Sequence, residues 1–113
     1  MKTIKASHLE ATILAAVGSS EQYGLEIVRE IERLTGRPVS LGSLYVTLHR
    51  MEKKGFMRAR WGEATEERHG ARRRYYRLTG LGKAALAETR RTVERVFFAA
   101  PAWRPSNESR DIG

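Results

Sequence analysis

The sequence predicts a mainly α-helical domain that carries one small β-hairpin, an α+β fold. Apolar residues recur at helical spacing in three short segments before residue 55. Two stretches of alternating apolar and polar residues then flank a polar segment that contains glycines. A final series near the C-terminus advances in steps of three and four. The 113 residues are the length of one domain with one modest core.

The first helix is predicted from His8 to Val17. Ser7 and Glu10 have the spacing of a capping box, in which each side chain bonds the other residue's backbone amide. The apolar stripe comprises Leu9, Ile13, Ala16 and Val17. Gly18 tolerates the left-handed backbone conformation that ends many helices. The capping pattern and the stripe therefore agree on the same ten residues.

A second and a third helix follow. The second has the apolar series Tyr23, Ile27, Ile31 and Leu34, and Gly36 and Pro38 end it. Ser40 is the expected N-cap of the third helix, which ends before Gly55. Its predicted inward stripe is Leu41, Leu44, Leu48 and Met51. Its predicted outward face is Ser43, Val46, Thr47, Arg50 and Lys54, a polar, small and basic surface.

The alternating stretches predict a hairpin with strands over Phe56–Trp61 and Arg72–Leu78. The polar segment from Gly62 to Gly70 forms its long tip. Because neighbouring side chains of a strand point to opposite faces, only one of Tyr75 and Tyr76 can face the core fully.

Thr79 is the expected cap of a fourth helix over residues 79–100, which Pro101 ends. Its heptad-like seam predicts a dimer interface formed by Leu86, Thr89, Val93, Val96 and Phe97. We therefore divide the chain into an N-terminal domain of three helices and a hairpin (1–78), a dimerisation helix (79–100) and a flexible tail (101–113).

The formal net charge of +8 favours polyanionic partners, because binding them releases counterions. Ten of the 21 Lys and Arg residues lie between Arg50 and Arg77, against four glutamates. The positive charge is therefore concentrated on the third helix and the hairpin. Nucleic acid and an anionic membrane surface are the two candidate partners that charge alone allows.

Three short helices followed by a basic hairpin is the order of a winged helix-turn-helix. In that fold the third helix enters the major groove, which requires small or hydrogen-bonding side chains. The predicted DNA-binding residues are Ser40, Gly42, Ser43, Tyr45, Val46, Thr47 and Arg50 in the helix and Arg72, Arg73 and Arg74 in the wing. Two interpretations stay open for Gly42, close approach to DNA or a loosely wound first turn. Tyr45 can point toward DNA or toward the core.

The sequence offers no catalytic, cofactor or metal site. It has no cysteine, and His8, His49 and His69 are too widely separated to form a ligand pair on one helix. We therefore expect a protein that is not an enzyme and that needs no cofactor. No apolar run approaches the length of a membrane span, and residues 1–5 lead into no secretory segment, so we expect a cytoplasmic location.

Two blocks, Ser43 to Phe56 and Arg72 to Gly82, closely resemble the PadR family of bacterial transcriptional regulators. Tyr23 to Ile27 also resembles that family, and the likeness spans roughly Leu9 to Val96. The resemblance implies a homodimer of the short subclass with a single C-terminal helix, usually a repressor. It implies that the third helix reads the major groove, that the wing touches the DNA backbone and that the last helices pair.

Together these inferences predict a sequence-specific regulator that binds a pseudo-palindromic operator, with half-sites spaced by about one helical turn, ~34 Å, or a multiple of it. Some short members of the family bind flat aromatic drugs in a dimer pore lined by an aromatic residue of the last helix. Here Val93 and Val96 occupy that part of the seam. The sequence therefore shows no evident binding site for a small-molecule effector at the dimer interface. A ligand-sensing regulator and a protein-interaction module remain the alternative functions.

Overall fold

The computed structural model describes residues 7–99, which form four α-helices and a three-stranded antiparallel sheet. The helices are α1 (His8–Val17), α2 (Gly24–Thr35), α3 (Leu41–Lys53) and α4 (Gly80–Ala99). The strands are β1 (Gln22–Tyr23), β2 (Met57–Trp61) and β3 (Arg74–Leu78), and a 3₁₀ turn (Glu66–Arg68) lies between β2 and β3. The predicted α+β class is confirmed. Residue 100 and the predicted tail over residues 101–113 lie outside the described residues.

Local capping chemistry sets the starts of three helices. The capping box of α1 is present, with the Ser7 hydroxyl accepting from the Glu10 amide at 3.2 Å and a Glu10 carboxylate oxygen accepting from the Ser7 amide at 2.9 Å. The Ser40 hydroxyl accepts from the Ser43 amide at 3.1 Å, and the Thr79 hydroxyl accepts from the Gly82 amide at 3.0 Å. The bounds predicted for α1 and the three caps are thus confirmed.

The sheet has the order β1-β3-β2, and β1 is an element that the sequence pattern did not indicate. Gln22 pairs with Tyr76, and Tyr23 pairs with Tyr75. The assignment of Tyr23 to the apolar series of the second helix was wrong, because Tyr23 has extended backbone and precedes α2. A two-residue strand is too short to show alternation, and its position depends on the free edge of β3.

Both strands of the hairpin are shorter than predicted. Phe56 lies buried just before β2, and β3 begins at Arg74 rather than at Arg72. The register ends with the pair Trp61 and Arg74. Tyr76 is buried whereas Tyr75 is only half-buried, so the prediction that one of the two faces the core is confirmed.

The core lies between the helices and one face of the sheet. Its buried apolar residues include Ile13, Leu14, Val17, Ile27, Ile31, Leu44, Leu48, Met51, Phe56, Tyr76, Leu78 and Ala85. Leu34 and Leu41 were expected in it, but their side chains are 47% and 46% exposed. Both lie beside the turn between α2 and α3, at the margin of the packed region. Thr47 was expected on the outward face, but it is only 5% exposed. Its hydroxyl donates to the Ser43 carbonyl at 2.8 Å, so it needs no hydrogen bond with water.

The first two turns of α4 pack into this same core. Ala85 is buried, Leu86 packs beside it, and Gly82 lies so close to the Phe56 carbonyl that a Cβ atom there would be 2.1 Å from the oxygen. The Thr79 amide donates to that same carbonyl at 3.0 Å. The start of α4 is therefore fixed to the root of the hairpin, the segment where Phe56 enters β2 and β3 leads into α4.

Candidate nucleic-acid interface

α3 presents an exposed face, which we call the recognition face. It comprises six of the predicted DNA-binding residues: Ser40, Gly42, Ser43, Tyr45, Val46 and Arg50. The apolar Val46 side chain is 63% exposed, so this face is not covered within the protomer. Thr47 does not belong to it, because its side chain turns into the core. The expectation that Thr47 lies on the outward face was wrong.

Gly42 lies in the first turn of α3, and a Cβ atom added at that residue would meet nothing within 4 Å. The turn is regular helix with a formed N-cap rather than a loosely wound segment. Packing within the chain therefore gives no reason for glycine at residue 42.

The basic end of α3 is held by a buried carboxylate. Glu10 of α1 has no exposed surface, and its two carboxylate oxygens accept from the Lys54 ammonium at 2.9 and 3.0 Å. The Arg50 guanidinium lies 4.0 Å from the same carboxylate, with half of its side chain still exposed. We call this set of three residues the Glu10 clamp. It holds Lys54 beside the recognition face and attracts Arg50, which belongs to that face.

Two opposed effects set the pKa of Glu10. Burial by itself raises the pKa of this carboxyl. The hydrogen bonds from Lys54 and from the Ser7 amide, together with the charges of Lys54 and Arg50, lower it by more, so that the pKa of Glu10 lies below its ordinary value near 4.5. The carboxylate is thus ionised at neutral pH although it is buried.

Replacing Glu10 by glutamine is expected to lower the free energy of unfolding at neutral pH by about 1–3 kcal/mol, because charge-assisted hydrogen bonds to a buried group are lost. The folded-state pKa is depressed, so this stabilisation is present above the carboxyl's unfolded-state pKa and is lost as pH falls through the lower folded value. Urea unfolding measured from about pH 7 down to about pH 3 tests this dependence. Glu30→Gln, which breaks an exposed pair with Arg33, is the control and should change stability much less. If the difference in unfolding free energy between the wild type and Glu10→Gln stayed constant across this pH range, the lowered pKa assigned to Glu10 would be contradicted.

The wing loop, residues 62–73, is tied to the ends of both strands. The Gly62 amide donates to the Arg73 carbonyl at 2.6 Å, and the Arg72 guanidinium donates to the Gly62 carbonyl at 2.9 Å. Within the loop, the Arg68 guanidinium donates to the carbonyls of Glu63 and Ala71. These bonds order a segment whose composition indicated only a polar tip.

The three wing arginines differ in their surroundings. Arg72 is exposed, whereas Arg73 is half-buried with its guanidinium 4.1 Å from the centre of the Tyr23 ring. Arg74 stacks on Trp61 at 5.0 Å and approaches the Glu52 carboxylate at 3.3 Å. Arg74 is therefore paired with a carboxylate inside the protomer, whereas within residues 7–99 Arg72 and Arg73 form no ion pair within 4.0 Å.

A cleft of about 350 Å³ separates α3 from the wing. It is lined by Tyr23, Gly24, Tyr45, Trp61, Tyr76 and the three wing arginines. The Tyr45 hydroxyl rests on Gly24, where a Cβ atom would lie 2.2 Å from the oxygen, yet the side chain is 44% exposed. Burial and neighbouring charges together leave the pKa of the Tyr76 phenol above its usual value, and burial is the main cause. The cleft joins the recognition face to the wing in one continuous surface.

The residues predicted for the dimer interface divide into two groups along α4. Leu86 and Thr89 are half-buried within the protomer, and the Thr89 hydroxyl donates to the Ala85 carbonyl. Val93, Val96 and Phe97 are exposed, and Phe98 beside them is 88% exposed. We call Val93, Val96, Phe97 and Phe98 the apolar patch of α4. No other part of the described chain covers it.

Within residues 7–99, no group of three or more histidine and acidic side chains is placed to hold a metal ion. No helix in that part of the chain is long and apolar enough to cross a membrane.

Sequence reasoning missed two features of this surface. The Glu10 clamp joins residues 44 positions apart, and the stack of Arg73 on Tyr23 depends on the unpredicted strand β1. The signal for the clamp that the sequence offered was Glu10, an acidic residue within the apolar stripe of the first helix. Its role in the capping box already explained why a glutamate is present, so the ion pair was not predicted.

Comparisons with known proteins agree with this geometry. The model of the "Transcriptional regulator PadR-like family" matches residues 13–88. The transcriptional regulator Rv3488 of Mycobacterium tuberculosis is 36% identical over 98 residues, which cover 85% of this chain and 85% of that protein. Among solved structures, a PadR-like transcription factor from Bacteroides fragilis superposes with a TM-score of 0.72 at 26% identity, over 82% of this chain and 86% of that one. Bacillus subtilis PadR, in complex with operator DNA, shares the fold, with a TM-score of 0.64 at 21% identity over 73% and 47% of the two chains.

Proposed function

This chain belongs to the PadR-like family of transcriptional regulators, and from that premise we propose that it acts as a homodimeric repressor that binds a pseudo-palindromic operator. Regulators of this family bind DNA, and the family is not one of enzymes. The observation that carries the proposal is the recognition face of α3, which is exposed beside an arginine-bearing wing. A cytoplasmic site of action follows from that role as part of the same proposal.

The recognition face suits the major groove. Ser40 and Ser43 present hydroxyl groups near the N-terminus of α3, and base edges can be read by such donors and acceptors. Packing within the protomer gives no reason for a glycine at residue 42. Close approach of the helix to DNA would explain it, since glycine costs roughly 1 kcal/mol of helix stability relative to alanine. Tyr45 and Val46 complete the proposed contact surface.

Cations on both sides of this face suit the DNA backbone. We assign phosphate contacts to Arg50, which the Glu10 clamp orients, and to Arg72 and Arg73 in the wing. Arg74 supports them, since its pairing with Glu52 and its stacking on Trp61 hold the start of β3. Thr47 is left out because it is buried. The operator complex of Bacillus subtilis PadR lends support to DNA binding by this fold.

The apolar patch of α4 supports dimerisation. Four large apolar side chains in one short exposed segment are costly in water, and a two-fold partner would cover them. We propose that α4 works in two parts, its first turns belonging to the winged helix-turn-helix and its exposed half, from about Arg90 onward, to the dimer interface. In this proposal the division predicted between residues 78 and 79 moves to about residue 90, and Leu86 and Thr89 border the interface.

Two matched double substitutions test the DNA-binding proposal. Arg72→Gln with Arg73→Gln is expected to weaken operator binding about 10- to 100-fold and to reduce the salt slope by roughly 1–2, since each lost phosphate contact lowers that slope by about 0.9. Arg29→Gln with Arg33→Gln removes the same charge from exposed positions of α2 outside this surface and should leave the slope nearly unchanged. Fluorescence anisotropy with an operator fragment, at several salt concentrations, measures both.

Ser43→Ala separates specificity from affinity in the same assay. It should alter the ranking of operator variants without a change in salt slope, because Ser43 is assigned to base edges. Equal behaviour of the wing and control double variants would overturn the wing assignment. Binding that does not respond to salt at all would instead favour a protein-interaction module.

A further inference from the structure

A polar cavity of about 420 Å³ lies at the root of the hairpin, between the end of α1, the outer face of the sheet and the start of α4. Its lining includes Ser19, Glu21, Arg58, Arg77, Thr79 and Lys83. No lining residue comes from α3 or from the wing loop. The surface that we assign to DNA therefore leaves this cavity unexplained.

Two arginines face each other across the sheet in this cavity. Arg58 of β2 and Arg77 of β3 are register partners, so their side chains project from the same face of the sheet, and both are exposed. Like charges directly opposite each other on neighbouring strands destabilise a sheet. Lys83, one turn into α4, adds a third cation to the same lining. Within residues 7–99, none of these three cations forms an ion pair within 4.0 Å.

Glu21, the carboxylate in the cavity lining, already pairs with an arginine. Glu21 accepts from the Arg60 guanidinium at 2.7 Å, and this hydrogen bond is the main reason that the pKa of Glu21 lies below its ordinary value. Arg77 contributes a smaller attraction of the same sign. With Glu21 balanced by Arg60, three positive charges remain in the cavity without a matching negative charge.

Neutral donors complement these cations. The backbone of Gly80, where α4 begins, lines the cavity, and α4 has no acidic residue in its first turn. A helix N-terminus carries partial positive charge on its amides. Here the Thr79 hydroxyl accepts from the Gly82 amide, and no acidic side chain of the first turn offsets the remaining charge. Ser19, which follows α1, also lines the cavity. Guanidinium groups, an ammonium, amides and a hydroxyl together form the donor set that a phosphate group prefers.

We propose that this cavity binds a small phosphorylated ligand, with the phosphate held between Arg58 and Arg77 and close to Lys83. The cavity volume is that of a site for a small molecule, within the range of about 300–1,000 Å³. Occupancy would remove the repulsion between the two arginines and stabilise the root of the hairpin, and the wing loop extends from the same two strands. The site is separate from the operator surface and does not depend on the proposed repressor activity.

Isothermal titration calorimetry of the full chain with inorganic pyrophosphate tests the proposal. We expect saturable binding of one ion per protomer at constant ionic strength. Arg58→Gln with Arg77→Gln should weaken it by about tenfold or more, the effect of losing strong charge-assisted contacts. The matched control, Arg29→Gln with Arg33→Gln, removes the same charge from exposed positions of α2 and should change the affinity by less than about twofold. Circular dichroism establishes that both variants fold.

A second measurement, of operator affinity, decides whether these arginines bind the phosphate of a small ligand or the phosphates of the DNA backbone. Operator affinity of the Arg58→Gln, Arg77→Gln variant, measured at the same salt concentration without pyrophosphate, should equal that of the control. Non-saturable pyrophosphate binding, or an equal loss in both double variants, would overturn the proposal. A selective loss of operator affinity without saturable pyrophosphate binding would also overturn it and would assign these arginines to DNA. Failure of the wild type to bind any operator would count against the proposed function alone.

Discussion

Val93→Glu is expected to convert the protein from a dimer to a monomer. Val93 is 49% exposed in the protomer, at the inner edge of the apolar patch of α4. In the proposed dimer the partner covers this residue, so a glutamate there would be desolvated without a partner charge. Burying an unpaired charge costs several kcal/mol, so the dimer dissociation constant should rise by at least about 100-fold.

Sedimentation velocity at micromolar protomer concentration measures this change, and Ala84→Glu is the matched control. Ala84 is exposed on α4 and lies before the half of the helix that we assign to the interface, so the same charge there should leave the dimer intact. The Val93→Glu monomer should remain folded, because glutamate is a good helix former at an exposed position. Its operator affinity should fall as well, since the two half-sites are then bound independently. A Val93→Glu protein that sediments as the wild type does would contradict the proposed interface.

Gly82→Ala is expected to destabilise the fold by about 2–3 kcal/mol, the upper part of the range for overpacking a core. The added Cβ atom would lie 2.1 Å from the Phe56 carbonyl oxygen, which is backbone and cannot rotate away. The oxygen is also held in place, because it accepts from the Thr79 amide at 3.0 Å. α4 would have to move away from the root of the hairpin, and the burial of Ala85 would be lost with it.

Gly80→Ala is the matched control on the same helix. A Cβ atom at Gly80 would meet nothing within 4 Å, so the expected change is within about 0.5 kcal/mol of zero. Urea unfolding followed by circular dichroism compares the variants at one protomer concentration, because dimerisation contributes to the measured stability. Equal stability of Gly82→Ala and Gly80→Ala would show that the contact between Gly82 and Phe56 does not constrain α4.

The fold could be predicted where neighbouring residues decide the structure. Ser7 and Glu10 cap α1 through groups three positions apart, and Thr79 caps α4 in a related way. Tyr75 and Tyr76 divide between the two faces of β3 because successive side chains of a strand alternate. Such effects act within one turn of a helix or one step of a strand, so the sequence order contains them directly.

The recognition face was predicted in all but one residue, and the reason for the exception is geometric. Thr47 is polar, and the pattern placed it outside with Val46. In the folded chain the inward face of α3 includes both Thr47 and Leu48, and the Thr47 hydroxyl is satisfied by the Ser43 carbonyl of its own helix. Residue type alone does not distinguish a threonine that faces solvent from one that bonds the preceding turn.

By itself, the sequence determined the order of the four helices and the two hairpin strands, the helix caps, the positive charge near α3 and the wing, and the family. Only the tertiary structure decided which distant segments contact one another. It paired β1 with β3, buried Glu10 against Lys54, stacked Arg73 on Tyr23 and left the cavity around Arg58 and Arg77. Each of these joins side chains that are tens of residues apart along the chain or brings two strands into register. Such contacts depend on the packing of whole elements, which no local spacing of residues specifies.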